Sequence, residues 1–211
     1  MNFVYLYAPL ILQGLGVTFG VWLLTSCLSF AFGLLLGTLS GKELLQRKLF
    51  RLVQIYTFVA KGVPAYVQIL IAYYVVPQLL GIQLSALSSA CIALIFCSTG
   101  YMTEIVRCGI NSVPSGQWEA AMVLGYSKFA MLRFVVLPQA LRVVLPAIFG
   151  EIEQLLKSTS LLATIGVSEL TFAGANIISR ELNPLPVYAM IALIYLLFSA
   201  GLWLFKEFMA W

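Results

Sequence analysis

Residues 1–41 read MNFVYLYAPLILQGLGVTFGVWLLTSCLSFAFGLLLGTLSG and contain no aspartate, glutamate, lysine, arginine or histidine. A second stretch of this kind covers residues 62–103. Each is far longer than the ~20 apolar residues that cross a bilayer. The 211-residue chain is 62% hydrophobic and 9% charged, whereas soluble domains carry about 25% charged residues. We therefore expect an all-α integral membrane protein.

Five apolar segments are long enough to cross the membrane, at about residues 9–39, 52–80, 86–106, 143–167 and 187–206. In the loops between them, Arg180 alone lies on one side of the membrane, and the other basic residues lie on the opposite side. These are Lys42, Arg47, Lys48, Arg51, Arg107, Lys128, Arg133, Arg142 and Lys206. The positive-inside bias predicts an outside N-terminus and a cytoplasmic C-terminus. No linker divides residues 1–211, so we expect one membrane domain.

Several functional classes are disfavoured by residue types that the chain lacks. It has no histidine and no aspartate, which supply many general bases and metal ligands. Its four cysteines show no CxxC spacing. The net charge of +4 is small and scattered, which does not indicate a nucleic-acid partner. We expect no catalytic residue, metal ion or cofactor bound by this chain.

The first apolar segment carries glycines at four-residue intervals. They are Gly16 and Gly20, and then Gly33, Gly37 and Gly41. Small residues at this spacing let a neighbouring membrane helix approach closely. The pattern indicates helix packing.

Residues 115–138, between the third and fourth spans, read SGQWEAAMVLGYSKFAMLRFVVLP. Ala120 and Ala121 favour a helix, Gly125 permits a sharp turn, and a second short helix is expected to end before Pro138. From this pattern alone, an interfacial helix on the inner leaflet is as good an interpretation as a contact for another protein.

The spacing Glu119-Ala120-Ala121, Gly125, Val135 and Leu137-Pro138 resembles the EAA loop of membrane permeases of bacterial binding-protein-dependent ABC importers, with Val135 where Ile is usual. The neighbouring segments are similar to the polar amino acid subfamily of those permeases, which includes histidine, glutamine and arginine importers. They comprise Lys61-Gly62-Val63-Pro64, Val113-Pro114 with Gly116-Gln117, and Lys157-Ser158-Thr159-Ser160-Leu161.

The resemblance implies a permease of the bacterial cytoplasmic membrane in which Glu119, Ala120, Ala121 and Gly125 form an ATPase-coupling helix. The implied partners are two ATP-binding subunits, a second permease that is either identical or related, an external solute-binding protein, membrane lipid and an amino acid. ATP and Mg would be bound by the ATPase, since this sequence contains no GxxxxGK[ST] loop. The chain by itself would not be an enzyme.

Glu151, Glu153 and Lys157 lie inside the fourth span, where charged side chains are candidates for a solute path. Alternatively, Glu153 and Lys157 form a structural i,i+4 ion pair. The family usually has an apolar residue at position 153 and Asp at position 158, where this chain has Ser158. An unpaired Glu153 would favour a cationic amino acid such as arginine or lysine.

Two further charged residues stand near the cytoplasmic ends of spans. Lys61 precedes the Gly62–Pro64 interruption, where it would either extend to the interface or take part in gating. Glu104 would either line the solute path or cap the third membrane span.

Two other classes remain as alternatives. An ion-coupled secondary amino acid transporter would explain intramembrane glutamates but needs neither EAA spacing nor so short a chain without inverted repeats. A membrane enzyme would have to use Ser160 with Lys157. Serine hydroxyls in helices commonly bond to helix carbonyls instead.

Overall fold

A computed structural model describes residues 3–41 and 47–209, and every regular element in these ranges is helical. Lys42 and Glu43 lie outside the described residues. The first four helices are α1 (Phe3–Leu39), α2 (Arg47–Gly62), α3 (Ala65–Leu70, Ile71–Val75 and Val76–Leu80) and α4 (Ala86–Ser112). The others are α5 (Ser115–Val123), α6 (Lys128–Met131, Leu132–Val136 and Leu137–Ser158), α7 (Leu170–Glu181) and α8 (Pro184–Met209). A 3-10 segment, Thr159–Ile165, follows α6.

Four described helices are long and apolar enough to cross a membrane, at Leu6–Leu39, Ala86–Ser112, Lys128–Ile165 and Pro184–Phe208. The broken pair of α2 and α3 makes a fifth if it is counted as one span. The break falls at Val63 and Pro64, because proline lacks the amide hydrogen that would continue the helix. Four of the predicted spans lie within these segments, and the fourth, 143–167, extends two residues beyond Ile165.

The predicted end of a helix before Pro138 is wrong. The helix that begins at Lys128 continues through Pro138 to Ser158, so it begins well before the predicted boundary at residue 143. A π-helical turn, Leu132–Val136, comes immediately before this region. Such a turn shifts the backbone hydrogen bonds by one residue, which accommodates the missing donor and the ring of the proline.

The predicted loop after the fourth span contains a helix, α7, that sequence reasoning missed. Gly166 ends the 3-10 segment with a left-handed φ of 79°. The Glu169 side chain then caps α7 by accepting hydrogen bonds from the amides of Thr171 and Phe172. Its start is therefore fixed by a carboxylate, although Ser, Thr, Asp and Asn are the preferred capping residues.

The described chain forms two compact units, and it passes between them four times. The first contains residues 3–26, 64–95 and 152–209. Its core includes Trp22, Ile69, Leu94, Leu156 and Leu162. The Trp22 indole donates a 2.9 Å hydrogen bond to the Ile152 carbonyl in this unit.

The second unit contains residues 27–41, 47–63 and 96–151. Its core includes Val106, Ile110, Met131, Val136 and Ala140. These residues come from α4 and α6, which precede and follow the short helix α5 in the chain. The two helices therefore pack against each other.

Within the second unit, the glycines of α1 lie directly against α4. A Cβ atom at Gly33 would overlap Met102, and one at Gly37 would lie 2.7 Å from the Thr103 carbonyl oxygen. Gly41 faces Ile110 in the same way. The predicted close approach is confirmed for these three glycines. No described atom would lie within 4 Å of a Cβ at Gly16 or Gly20.

This difference gives a matched test of helix packing. We expect Gly33→Ala to lower the free energy of unfolding by about 2 kcal/mol, because an added methyl group in a packed contact forces the backbones apart. Gly20→Ala on the same helix should be neutral or stabilising. When thermal unfolding is measured in detergent, the midpoint temperature of Gly33→Ala should lie roughly 5 °C below that of Gly20→Ala. Equal midpoints would contradict the close contact.

Candidate functional site

The segment with the EAA spacing forms a helix, a turn and the start of the next helix. Helix α5 ends at Val123, and Gly125 takes a left-handed φ of 78°. Ser127 then caps α6 by accepting a hydrogen bond from the Ala130 amide. A left-handed conformation is strained for residues with a Cβ, so Gly125 is the residue that permits this turn.

The side chains of this segment divide into a packed and an exposed set. Ala121 is buried against the core of its unit, whereas Glu119, Ala120 and Gly125 are exposed. The most exposed apolar side chains around the turn are Met122, Val123, Leu124 and Phe129, with exposed fractions of 65%, 88%, 75% and 71%. We call these four residues the apolar ridge. An exposed apolar cluster of this kind is typical of an interaction surface.

A charged cluster joins α2 to α4. The Arg107 guanidinium donates a 2.5 Å hydrogen bond to Glu104, and the Lys61 ammonium lies 3.9 Å from the same carboxylate. The Arg107 guanidinium also lies 6.0 Å from the centre of the Phe50 ring. The structure therefore brings together Lys61 and Glu104, a pairing that no sequence pattern predicts.

Glu151 lies on α6 and is half-buried. The Ser98 hydroxyl donates a 2.7 Å hydrogen bond to it from α4. In residues 3–41 and 47–209, no salt bridge involves Glu151. It is a carboxylate at membrane depth whose partner is neutral, which is an uncommon and costly arrangement.

Glu153 and Lys157 form the i,i+4 ion pair that was one of the two alternatives from sequence. The Lys157 ammonium lies 2.7 Å from the Glu153 carboxylate, and their side chains are 54% and 34% exposed. The Ser160 hydroxyl donates a 2.8 Å hydrogen bond to the Lys157 carbonyl oxygen. This bond to the helix backbone is the non-catalytic arrangement considered for Ser160.

Glu169 is a buried glutamate that the sequence analysis did not identify as a candidate site residue. Its carboxylate accepts hydrogen bonds from the amides of Thr171 and Phe172, at 2.9 and 2.8 Å. The hydroxyl of Tyr195 donates a third, at 3.2 Å, and that of Thr18 lies at 3.5 Å. Burial raises the pKa of Glu169, and the amide hydrogen bonds oppose part of that rise. The position of Glu169 directly before an apolar stretch could have indicated a helix cap. Its partners Thr18 and Tyr195 are distant in the chain, so no sequence signal could have indicated the buried network.

The family follows from comparison with known proteins. The profile of the binding-protein-dependent transport system inner membrane component family matches residues 33–208. The chain belongs to this family. The predicted resemblance is therefore confirmed, and residues 33–208 include the exposed EAA segment and all five candidate path residues.

Curated relatives of this family member are amino acid permeases. It is 33% identical over 162 residues to the arginine transport system permease protein ArtQ of Bacillus subtilis, covering 77% of this chain and 73% of ArtQ. It is 35% identical over 194 residues to the histidine/lysine/arginine/ornithine permease HisM of Salmonella typhimurium, covering 87% and 82%. The chain is thus a membrane-spanning permease of the amino acid ABC transporter type.

Solved structures agree with this assignment. An amino acid ABC transporter crystallised with histidines has a chain that superposes with a TM-score of 0.88 at 28% identity, covering 100% of this chain and 98% of that one. The MetNI methionine transporter in an inward-facing conformation gives a TM-score of 0.85 at 17% identity, over the same shares of the two chains. The second likeness concerns the fold alone.

Proposed function

We propose that this permease is the membrane-spanning subunit of an ATP-driven amino acid importer. It forms the translocation path with a second permease, receives amino acids from an external binding protein, and is driven by a separate ATPase that binds ATP and Mg. The single observation that carries the proposal is the exposed apolar ridge, which stands at the residues that resemble the coupling helix.

The geometry of the EAA segment supports the coupling role. Buried Ala121 fixes α5 to the core formed by α4 and α6, so movement of α5 would be passed to two membrane helices. Exposed Glu119 and the ridge are left available to the ATPase. A helix that is held on one side and exposed on the other transmits closure of a partner as a rigid-body movement. The positive-inside rule places this segment in the cytoplasm.

Among the candidate path residues, Glu151 is the best suited to recognise a cationic side chain. Lys157 already neutralises Glu153, so a substrate cation would have to compete with an ion pair at 2.7 Å. Glu151 has a neutral hydroxyl partner in Ser98 and gains a charge-assisted hydrogen bond when a guanidinium or ammonium approaches. The substrate is a polar amino acid, with a preference for a cationic one.

The selectivity of paired variants tests this assignment. We expect Glu151→Gln to lower the ratio of arginine to glutamine uptake roughly 10- to 100-fold, because one charge-assisted contact contributes about 1.5–3 kcal/mol. Glu153→Gln serves as the matched control, and its ratio should change less. An unchanged ratio in an assembled Glu151→Gln transporter, measured with both radiolabelled amino acids, would contradict the role of Glu151.

Lys61 and Glu104 are proposed as parts of the path near its cytoplasmic end. The Glu104 carboxylate holds Lys61 within 3.9 Å, which favours gating over extension of the lysine to the interface. The break at Val63 and Pro64 begins two residues after Lys61. Movement there would alter the contact between α2 and α4.

Co-purification from native membranes tests the proposed assembly. A tagged chain should bring with it, in equal amounts, an ATP-binding subunit that has a P-loop and is encoded beside it. A chain that purifies alone and still catalyses uptake in vesicles would favour the ion-coupled secondary transporter.

A further inference from the structure

Helix α2 has two faces of opposite character, and one of them packs closely on α4. A Cβ atom at Gly100 would lie 2.6 Å from the Ala60 Cβ. The Tyr56 hydroxyl donates a 2.8 Å hydrogen bond to the Phe96 carbonyl oxygen, and Thr57 on the same face is buried. These contacts fix α2 on α4 and leave its opposite face exposed.

The exposed face of α2 begins with two cations and continues as an apolar stripe. Leu52, Ile55 and Phe58 are 61%, 60% and 77% exposed. Lys48 and Arg51, at the start of the helix, are exposed as well. The face spans an arc of about 120° around the helix, and its residues from Arg51 to Phe58 extend about 10 Å along the axis. We call it the α2 face, and it comprises Lys48, Arg51, Leu52, Ile55, Phe58 and Val59.

The two cations of the α2 face lack an acidic partner in the part of the chain that the structure describes. No salt bridge there involves Lys48 or Arg51. Glu104, the acidic residue of α4, is already held by Arg107 and Lys61. An anionic group from another molecule would therefore complement both cations without displacing an ion pair.

The position of the α2 face along the span favours a lipid over a protein partner. The pair of α2 and α3 counts as one broken span, and the positive-inside rule places the start of α2 at the cytoplasmic surface. Phe58 then lies up to about 10 Å deeper than Arg51, towards the acyl chains, where a soluble protein does not reach. A second copy of this chain that docked through the same face about a two-fold axis would bring like charges together.

We infer that the α2 face binds an anionic phospholipid of the inner leaflet, with Lys48 and Arg51 at the headgroup and an acyl chain along the apolar stripe. A phosphate accepts charge-assisted hydrogen bonds from both kinds of side chain. Basic residues at the cytoplasmic surface attract lipids with a net negative charge, whereas the ammonium group of phosphatidylcholine would meet two cations. The inference goes beyond the proposed function, because a lipid site on α2 requires neither a particular substrate nor an ATPase.

Lipid binding to the detergent-purified chain, with the subunits that accompany it, tests the inference. The probe is radiolabelled phosphatidylglycerol, displaced by phosphatidylcholine or by glycerophosphate, which carries the phosphate without acyl chains. We expect phosphatidylcholine to compete about tenfold less well than unlabelled phosphatidylglycerol, and glycerophosphate not to compete. Displacement by glycerophosphate, or equal displacement by the two phospholipids, would overturn the inference.

A double variant locates the bound lipid. Lys48→Gln with Arg51→Gln should weaken phosphatidylglycerol binding roughly 30-fold, at about fivefold for each basic residue. The matched control, Lys128→Gln with Arg133→Gln, removes the same charge from exposed positions on α6 and should retain binding. Lys48→Arg with Arg51→Lys keeps both charges and should retain it too. Equal losses in the two glutamine variants would indicate attraction to net charge alone and overturn the inference.

The same double variant separates a bound lipid from a second copy of the chain. Lys48 and Arg51 are exposed, so their replacement removes no packing within this chain. We expect the purified variant to keep the subunit composition and the thermal midpoint of the wild type. A variant that lost a second permease subunit would show that another chain covers the α2 face, and the inference would be wrong.

Discussion

Val123→Asp is expected to abolish ATP-dependent uptake, because it places a charge in the centre of the apolar ridge. Val123 is 88% exposed, so the substitution removes no packing within this chain. A charge in the apolar centre of an interface should cost about 2 kcal/mol or more of binding free energy. This loss corresponds to ATPase binding that is at least about 30-fold weaker. Glu119→Lys should weaken binding in the same direction. The measurement is the amount of ATPase that co-purifies with each variant.

Leu182→Asn is the control for this experiment. Leu182 is also exposed, at 84%, and its φ of 52° is one that asparagine tolerates well. The control should retain both the ATPase and the uptake. If Val123→Asp retained them as well, the ridge would be an interfacial contact with lipid and the coupling assignment would be wrong.

The second large effect is expected at Glu169. Glu169→Ala removes the acceptor for the amides of Thr171 and Phe172 and for the Tyr195 hydroxyl, all at a buried position. Buried donors left without partners cost about 1–3 kcal/mol each. Such costs are not additive. We therefore expect the free energy of unfolding to fall by about 3–5 kcal/mol and the midpoint temperature of thermal unfolding to fall by roughly 10 °C or more.

Thermal unfolding in detergent measures this loss, with Glu207→Ala as the control. Glu207 pairs on the surface with its neighbour Lys206 at 3.4 Å, and such pairs contribute at most about 1 kcal/mol. Similar midpoints for the two variants would show that the Glu169 network does not hold α7 in place.

The membrane helices could be predicted from sequence because their signal is local. The absence of charge in residues 1–41 indicates α1 by itself, and Gly33 and Gly37 mark the face that α4 approaches. The turn at Gly125 follows from the freedom of glycine to take a positive φ. Each of these features depends on residues that lie close together in the chain.

The features that were missed depend on distant partners. Glu169 reads as a loop residue until Thr18, 151 positions away, and Tyr195, 26 positions away, are placed beside it. Pro138 reads as a helix end because the compensating π-helical turn has no sequence signal of its own. Lys61 and Glu104 are 43 positions apart, so their pairing required the packing of α2 on α4.

The most direct test of the account is amino acid uptake by vesicles that contain this permease, its ATPase and its binding protein. Radiolabelled arginine should accumulate when ATP is supplied, and a protonophore should leave that accumulation unchanged. Accumulation without ATP that collapses when the proton gradient is dissipated would contradict the account and identify an ion-coupled carrier.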